Sequence, residues 1–444
     1  MPRREPWIPA PPLWITDGQS FGDSVRRYKA RREALIAHWG GPLIFLGPGT
    51  GPNRHYEWAT CYQPVYQTSD LLFLTGINQT DLRIILESRS QHVFLPNFSQ
   101  EKQFWEGRYL GYGDPNTHDF LAALGFTDIH PIASFYSLLK SRIHPSVTWG
   151  IPITRLTRHG DEHHQLCRYI KRHQGQSACI GPHMDATRVI HDEPAIQAIT
   201  AGIAKTAAAF DCVLAQHPYA SETQLAGTLV GELLRQTPYG LAFSPIVATN
   251  QNAAILHYTD NSAAIASTDM ILMDFGLRWG TMCTDVSRTI PAGKTYSPIQ
   301  RALMGLVLDT QAATIERIRA GVTLDALDQF AWSFLEDALA RLLKATGGHC
   351  QRPYTHKPHT IGHLLGIQVH DGDAHRAYRH KPLPPHSIIT IEPGIYGTFT
   401  MYGETVTIGI RIEDNVLILP NENRVLTQAI PKTCDAIEAR LKQR

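Results

Sequence analysis

The pattern of hydrophobic and polar positions predicts mixed helices and strands in the first part of this chain. A basic amphipathic helix is expected near residues 23–39. Apolar runs of strand length follow at 43–46, 71–74 and 82–86. Because strands that alternate with helical segments are typical of α/β domains, residues 20–180 are predicted to form one.

The next region begins after a segment at 173–187 that contains glycine and proline and is predicted to be a linker. Asp192 precedes an apolar pattern of helical spacing with a proline in its first turn, as expected of an N-cap. Ser221 is predicted to start a second helix, in which Gln224 completes a capping box. A strand-like run at 254–257 and an acidic hairpin follow.

The same order of elements then repeats. Ser297, followed by a proline, is predicted to open one helix, and Thr323 opens another. Two more acidic strand segments come after them. Each half therefore runs helix, helix, strand and acidic strand pair, which indicates an internal duplication. Two halves that face each other would bring their acidic strands to one centre.

The acidic strands of the first half carry Asp274 and Asp285 within otherwise apolar runs. A two-residue turn at Trp279 and Gly280 would place the two aspartates directly opposite each other. Opposed side chains have Cβ atoms about 4.5–5.5 Å apart, and like charges at that distance are destabilising. A bound cation would remove the repulsion, so this pair is a candidate set of metal ligands.

The acidic strands of the second half carry Glu392 and Glu413 in similar runs. The four carboxylates together supply four negative charges, which two divalent cations would balance. The alternative is that each acid pairs with a cationic side chain, but the flanking sequence offers few beyond Arg288 and Arg411. His363 adds one imidazole. A carboxylate-rich shell with one imidazole suits manganese, with cobalt, iron or zinc as alternatives.

Paired metal ions about 3.5–4 Å apart lower the pKa of a bridging water and polarise a carbonyl. A peptide or another acyl compound is therefore the predicted substrate, with a phosphoester as the alternative on chemistry alone. His257, His359 and His370 flank the ligands in sequence and are predicted, as a set, to contact the substrate or an intermediate. Arg411 would share a strand face with Glu413 and is predicted to orient ligand carboxylates or hold the substrate.

Two competing motifs fail on their context. Residues 18–22 match the serine-hydrolase pattern GxSxG, but no strand precedes them as that pattern requires. Residues 359–363 place two histidines at helical spacing without the glutamate of the HExxH zinc motif. Neither motif therefore competes with the acidic cluster.

Composition excludes several classes of partner. Among 444 residues, 41 Lys and Arg balance 40 Asp and Glu, so bulk charge predicts neither a nucleic-acid nor a membrane-surface partner. No uninterrupted apolar run reaches the ~18 residues that span a bilayer. Prolines interrupt the place where a signal peptide needs its apolar core. Seven cysteines without CxxC spacing suit reduced thiols, so a cytoplasmic location is expected.

At these residues the chain resembles aminopeptidase P, the Xaa-Pro aminopeptidase of the pita-bread metallopeptidases, over about 20–435. The segments that carry the resemblance are YQTSDLLFLTG, FWEGRYLG, ILHYTDN, MDFGLRWGTMCTDVSRTIP, GHLLGIQVHD, TIEPGIY and GIRIED. The resemblance implies an α+β protein. A proline-rich arm at 1–19 would precede an N-terminal α/β domain at 20–180 and a pita-bread (duplicated αβ) catalytic domain at 181–444.

The resemblance also implies a dinuclear metal centre with two manganese ions. Asp285 and Glu413 would bridge the ions, and Glu392 would take the proton from the attacking water. The implied ligands are Asp274, Asp285, His363, Glu392 and Glu413.

Further roles come from the same resemblance. His257 and His370 match residues that contact the substrate and stabilise the intermediate, while His359, Tyr396 and Arg411 match positions around a proline pocket. The predicted catalytic set is therefore Glu392, His257, His370 and Arg411.

Trp105 matches a tryptophan that reaches the active site of a neighbouring subunit, which implies a homodimer or homotetramer. Two segments depart from the family pattern, at 190–193 and at 275–277. Neither segment is expected to touch a ligand, so the two departures bear on packing rather than on chemistry.

Three functions stay open at this point. The first is an aminopeptidase that releases the N-terminal residue of peptides with proline in the second position. The second is a prolidase, limited to Xaa-Pro dipeptides; the short segment between Glu392 and Glu413 favours the aminopeptidase. The third is a metal-free binding module on the same fold. The presence of all five ligand residues argues against it.

Overall fold

The structure, a computed structural model, describes residues 7–11, 13–48, 67–106, 109–153, 162–372 and 376–443. The chain divides into two compact units, Met1–Arg188 and Val189–Arg444. The division falls after Arg188, whereas the sequence predicted a boundary after residue 180. The predicted linker at 173–187 contains a strand and most of a helix.

The first unit is built around one six-stranded sheet with the order β4-β3-β2-β1-β5-β6. Its strands are β1 Leu43–Leu46, β2 Arg83–Leu86, β3 Gln91–Leu95, β4 Asp128–Pro131, β5 Thr148–Ile151 and β6 Gln176–Cys179. Its helices are α1 Phe21–Trp39, α2 Ser69–Thr75, α3 Gln100–Glu106, α4 Pro115–Ala123, α5 Phe135–Arg142, α6 Glu162–Arg172 and α7 Gly181–Val189, the last of which ends in the second unit.

Strands β1, β2 and β3 pair antiparallel, and β4, β5 and β6 add in parallel. The apolar run at 71–74, predicted to be a strand, belongs instead to helix α2. Thr68 caps this helix by accepting from the Leu71 N–H, and Gly76 ends it at φ 69°. Since α2 is buried on all sides, its apolar residues show no helical periodicity, and the sequence-based prediction was wrong.

The described part of the proline-rich arm is packed into the first unit. Trp14 is 1% exposed and donates its indole N–H to the Thr75 carbonyl at 3.0 Å. Its ring meets Phe21 and Phe120 edge to face, with centroids 5.5 and 5.2 Å apart. The end of the arm is therefore part of this core.

The second unit contains five helices and eleven strands among its described residues. Its helices are α8 Glu193–Ala215, α9 Glu222–Gln236, α10 Pro298–Ile315, α11 Leu324–Thr346 and α12 Cys434–Lys442. Its strands are β7 Ile246–Thr249, β8 Met270–Phe275, β9 Arg278–Trp279, β10 Met282–Cys283, β11 Val286–Pro291, β12 His349–Gln351, β13 Ile388–Ile391, β14 Gly394–Met401, β15 Glu404–Arg411, β16 Asp414–Ile418 and β17 Asn423–Val425.

The helix starts of this unit were predicted correctly, since Asp192, Ser221, Ser297 and Thr323 each accept from a backbone N–H three residues on. Only Ser297 heads a complete capping box. At Ser221 the Gln224 amide oxygen instead accepts from the N–H of Ala220. The strand predicted at 254–257 is wrong, because a short 3-10 helix at Asn252–Ala254 leads into a turn there.

The predicted duplication is visible in the strands. In the first half, β8 and β11 pair antiparallel and enclose the β9–β10 hairpin. In the second half, β13 and β16 pair in the same way and enclose the longer β14–β15 hairpin. Each acidic residue of the predicted centre lies in an outer strand or where an outer strand meets its hairpin.

Helix α8 packs on the short hairpin of the first half. It is long and apolar enough to cross a membrane by length and composition, but half of its apolar window is buried in this unit. Gly202 allows the close approach, since a Cβ there would lie 3.0 Å from Trp279 and 3.1 Å from Thr284. Farther along, Phe210 stacks on Phe275 with centroids 5.3 Å apart. Helix α8 is thus a core helix.

Candidate metal centre

The five predicted metal ligands all line one cavity of about 400 Å³ in the second unit. The five are Asp274, Asp285, His363, Glu392 and Glu413. They come from both halves of the duplication, so the facing halves bring together residues up to 139 positions apart in sequence, from 274 to 413.

The predicted register of the first acidic pair was wrong. The turn is at Gly280 and Thr281, with Trp279 opposite Met282, so Asp274 pairs across the sheet with Ser287. Gly280 adopts φ 61°, which a glycine tolerates without strain.

Asp285 lies between β10 and β11 rather than within a strand. Burial, and then the charges of Asp274 and Glu392, raise the pKa of Asp285 well above its usual value. Asp274 and Asp285 therefore repel each other as the sequence predicted, although they are not cross-strand partners.

The second acidic pair lies where strands β13 and β16 meet their hairpin. Ile391 pairs with Asp414, so one further step in the same register sets Glu392 opposite Glu413. Burial raises the pKa of Glu413 well above its usual value, and the Asp285 charge adds to the effect. Burial also raises the pKa of Glu392. Three buried carboxylates thus destabilise one another when they are all charged.

His363 points one nitrogen at this cluster. Its Nε2 lies 3.3 Å from Asp285 Oδ2 and 3.7 Å from Glu392 Oε1. Its Nδ1 lies 3.1 Å from the carbonyl of Leu364, where an N–H would donate. That bond would leave the Nε2 lone pair facing the carboxylates, the arrangement usual for a metal-ligating histidine.

The donor atoms fit divalent cations. One donor atom each from Asp285, His363 and Glu413 lies within 4.8 Å of the others. Two buried oxygens, Asp274 Oδ1 and Glu413 Oε1, have no hydrogen-bond partner among the described residues. A buried carboxylate oxygen without a partner is costly, and a cation in the cluster would satisfy both oxygens.

Salt bridges to arginine, the alternative to metal, account for one of the four acids. Arg411 pairs with Asp274, with Nη2 2.7 Å from Oδ2. Arg288 turns away, donating to Asp414 at 2.9 Å and to backbone carbonyls. Within the described ranges, no other Lys or Arg forms an ion pair with a cluster carboxylate. The cluster keeps three uncompensated carboxylates, which favours the metal interpretation.

Arg411 also bonds to other residues around it. Its Nε donates to Ser287 Oγ at 2.9 Å, and its Nη1 lies 3.2 Å from the Tyr396 hydroxyl. Ser287 in turn donates to Glu413 Oε2 at 2.9 Å. Ser287 was not predicted from the sequence, because only the true strand register places it opposite Asp274.

The three flanking histidines line the same cavity. His370 stacks on His363 with ring centroids 4.0 Å apart. His359 Nε2 lies 2.9 Å from the Tyr396 hydroxyl, and burial lowers the pKa of His359 to about 3. His257 is exposed on the turn after the Asn252–Ala254 helix. The predicted set of histidines is therefore brought to one place.

Two supporting residues were not anticipated. Asp328 is 3% exposed and accepts from the Ile361 N–H at 2.8 Å, which anchors the irregular segment that leads to His363. His191, in a segment not expected to touch a ligand, lies with its Nε2 3.0 Å from the carbonyl of Leu365. No sequence motif marks either residue.

Two other sequence candidates lie in the first unit. Trp105 is on α3 and is 69% exposed, beside Phe104, which is 82% exposed. Ser20 of the GxSxG match is the N-cap of α1 and bonds to Asp23, which confirms that it is a capping residue.

Comparison with known families agrees with this geometry. The sequence model of metallopeptidase family M24 matches residues 197–420, and that of the aminopeptidase P N-terminal domain matches residues 28–148. The chain belongs to metallopeptidase family M24. The family and the site together make it a metal-dependent hydrolase, and the α+β fold prediction is confirmed.

Three individual proteins are similar to this chain over most of its length. The intermediate cleaving peptidase 55 of Arabidopsis thaliana mitochondria is 29% identical, over 84% of this chain and 75% of its own. The Xaa-Pro aminopeptidase of Escherichia coli is 25% identical over 94% and 97%. The solved structure of Pseudomonas aeruginosa aminopeptidase PepP covers 94% of this chain and 98% of its own, with 25% identity and a TM-score of 0.79.

Proposed function

We propose that this protein is a metallo-aminopeptidase that hydrolyses the bond between an N-terminal residue and a penultimate proline. The observation that carries the proposal is the convergence of four carboxylates and one imidazole on one cavity, where two buried carboxylate oxygens have no hydrogen-bond partner among the described residues. The near full-length match to an Xaa-Pro aminopeptidase supports this choice of substrate.

In the proposed centre, two manganese ions would be held by Asp274, Asp285, His363, Glu392 and Glu413. Their carboxylate-rich chemistry favours manganese, and cobalt, zinc and iron are alternatives. Such a pair of ions supplies a hydroxide near neutral pH and an electrophile for the scissile carbonyl.

Glu392 is proposed to take the proton of the attacking water on a carboxylate oxygen. Glu392 lines the cavity, where its carboxylate can act as a general base. Thr390 positions the Glu392 carboxylate. The Thr390 hydroxyl donates to Glu392 Oε1 at 3.4 Å and accepts from the His363 N–H at 3.0 Å.

The substrate is proposed to lie between histidine and apolar walls of the cavity. His257 and His370 would contact the peptide, and the group formed by His359, Tyr396 and Arg411 would close the proline side. Apolar side chains that can contact a pyrrolidine ring line the same cavity: Phe243, Ile246, Leu256 and Val369.

Assembly and location complete the proposal. The exposed Trp105 is proposed to act in a homodimer or homotetramer, where it would reach a neighbouring active site. We also propose a cytoplasmic location. All six cysteines in the described part of the chain are free thiols, which suits a reducing compartment.

The test compares three substrates in the manganese-loaded protein: Arg-Pro-Pro, an Xaa-Pro dipeptide, and Arg-Ala-Pro as the control without penultimate proline. Release of arginine from Arg-Pro-Pro, with little from the control, is expected. Cleavage of the dipeptide alone would identify a prolidase instead. A preparation that holds manganese and cleaves none of the three would favour a binding module on this fold that has no peptidase activity.

A further inference from the structure

A second group of metal-ligating side chains lies in the first unit, on strands β3 and β4. One donor atom each from His92, Asp128 and His130 lies within 4.8 Å of the others. The strands are parallel neighbours, with His92 opposite Asp128 and Phe94 opposite His130. Because side chains two apart on a strand share a face, all three ligand candidates lie on the same face of the sheet.

The distances match a tetrahedral zinc shell. Ligand atoms about 2.0–2.1 Å from zinc in tetrahedral geometry lie about 3.3–3.4 Å from one another. His92 Nδ1 is 3.1 Å from His130 Nε2 and 3.6 Å from Asp128 Oδ2. Small side-chain shifts would bring all three atoms into one coordination shell.

The other nitrogen of His92 has the partners that a metal ligand requires. His92 Nε2 lies 2.9 Å from Ser90 Oγ and 3.3 Å from Glu87 Oε2. Glu87 is itself held by the Ser90 hydroxyl at 2.9 Å and by a salt bridge to Arg142. A carboxylate behind a histidine orients the ring and increases its basicity toward a metal.

The cluster combines rigidity with access. His92 is 2% exposed and His130 packs on Phe94 with centroids 4.9 Å apart, so both rings are held in place. The Asp128 side chain is 45% exposed, which leaves a path for an ion and a position for water. Three protein ligands with one open position are typical of an accessible zinc site rather than a closed structural one.

From this arrangement we infer that His92, Asp128 and His130 form a binding site for a first-row divalent cation, zinc above all, separate from the M24 centre. Two imidazoles and one carboxylate favour zinc, cobalt or nickel over manganese. The ion would cross-link β4, the edge strand of the sheet, to β3. Without the ion, the same 3.1 Å contact is an N–H···N hydrogen bond.

The experiment isolates this site by disabling the M24 centre in the full chain with Asp285→Asn and Glu413→Gln. This variant is titrated with zinc as the only added metal, and the zinc bound per chain is measured after dialysis. One zinc per chain is expected. Uptake should be lost on adding His130→Ala or Asp128→Asn, and Glu87→Gln should weaken it by roughly 10–100-fold.

The matched control is His144→Ala, which removes an exposed histidine outside the cluster and should leave zinc uptake unchanged. A hydrogen-bonded pair that binds no metal would give no stoichiometric zinc in the parent variant, or the same zinc in the His130→Ala and His144→Ala proteins. Either result overturns the inference. In the otherwise native, zinc-saturated chain, His130→Ala should hold one zinc fewer than His144→Ala, which provides a check independent of the M24 substitutions.

Discussion

The buried guanidinium of Arg411 and the partly buried carboxylate of Asp274 form an ion pair at the edge of the candidate metal centre, with Nη2 2.7 Å from Oδ2. The pair joins the last residue of β15 to β8, and therefore joins the two halves of the duplication. It leaves Asp274 Oδ1 without a partner among the described residues. One oxygen of Asp274 is thus fixed by arginine while the other is left for a cation.

Arg411→Lys tests this division of roles. Lysine keeps the charge but cannot bond Asp274, Ser287 and Tyr396 at once, because it lacks the planar fork of arginine. Metal affinity and kcat/KM are each expected to fall by roughly 10–100-fold. Equilibrium dialysis with manganese and steady-state kinetics measure the two effects. Arg440→Lys, which changes a half-exposed ion pair with Asp211 outside the cavity lining, is the matched control. Unchanged metal affinity in Arg411→Lys would contradict the role.

Glu392→Gln tests the proton acceptor. The amide keeps the size of the side chain but cannot accept a proton at neutral pH, so kcat should fall by about 10²–10⁴-fold or more. Glu404→Gln, an exposed change on β15, is the matched control. Metal content is measured in parallel, because Glu392 is also a proposed ligand. Turnover at the wild-type rate in Glu392→Gln would refute the assignment.

His257→Ala tests a contact with the substrate or intermediate. His257 lines the cavity from an exposed turn and is not one of the five proposed ligands. The substitution should therefore lower kcat while metal content stays the same. His349→Ala removes another exposed histidine of the same unit and should change neither quantity. An unchanged kcat in His257→Ala would count against the contact.

Glu222 is predicted to position the turn that carries His257. This fully buried carboxylate accepts from the Thr249 N–H at 2.7 Å, the Tyr258 hydroxyl at 2.8 Å and the Ala263 N–H at 2.9 Å. Burial by itself would raise the pKa of Glu222, but these donors hold it below its usual value.

Glu222→Gln should reduce the free energy of unfolding by about 1–3 kcal/mol, because the amide NH₂ would face donors. It should also lower kcat toward the value of His257→Ala, and adding it to His257→Ala should cost little further kcat. Glu422→Gln, an exposed turn residue, is the control in thermal melts and kinetics. Fully additive losses of kcat would show that Glu222 does not act through His257.

Metal removal should make stability depend on pH in a specific direction. Without metal, the pKa values of Asp285, Glu392 and Glu413 are raised in the folded state, chiefly by burial. The folded state then binds more protons than the unfolded chain, whose carboxyl pKa values are about 4. The stabilisation from these groups is present below that pH and is lost as the pH rises through the folded-state values.

Melting temperatures of chelator-treated protein are therefore expected to fall as pH rises from about 4 toward neutrality, relative to a variant carrying Asp285→Asn and Glu413→Gln. Manganese at about 100 times its Kd should restore about 2.7 kcal/mol per site near neutral pH. A metal-free protein that gains stability over this pH range, compared with the variant, would contradict the raised pKa values.

The sequence by itself determined those features that depend on residues close together in the chain. The helix starts at Asp192, Ser221, Ser297 and Thr323 depend on side chains that cap the next few N–H groups, so neighbouring residues reveal them. The duplication and the identity of the five acidic and histidine candidates were also readable, because charged residues inside apolar runs are costly without a partner.

Only the tertiary structure decided the contacts that act through space. The true turn at Gly280 and Thr281 places Ser287, rather than Asp285, opposite Asp274, and a strand register is set by packing as much as by turn residues. The tertiary structure likewise decided the contacts of Arg411 and of Glu222, and the pairing of His92 with His130 across two strands. Residues distant in sequence become neighbours only when the sheets form, since no local pattern records which strands will pair.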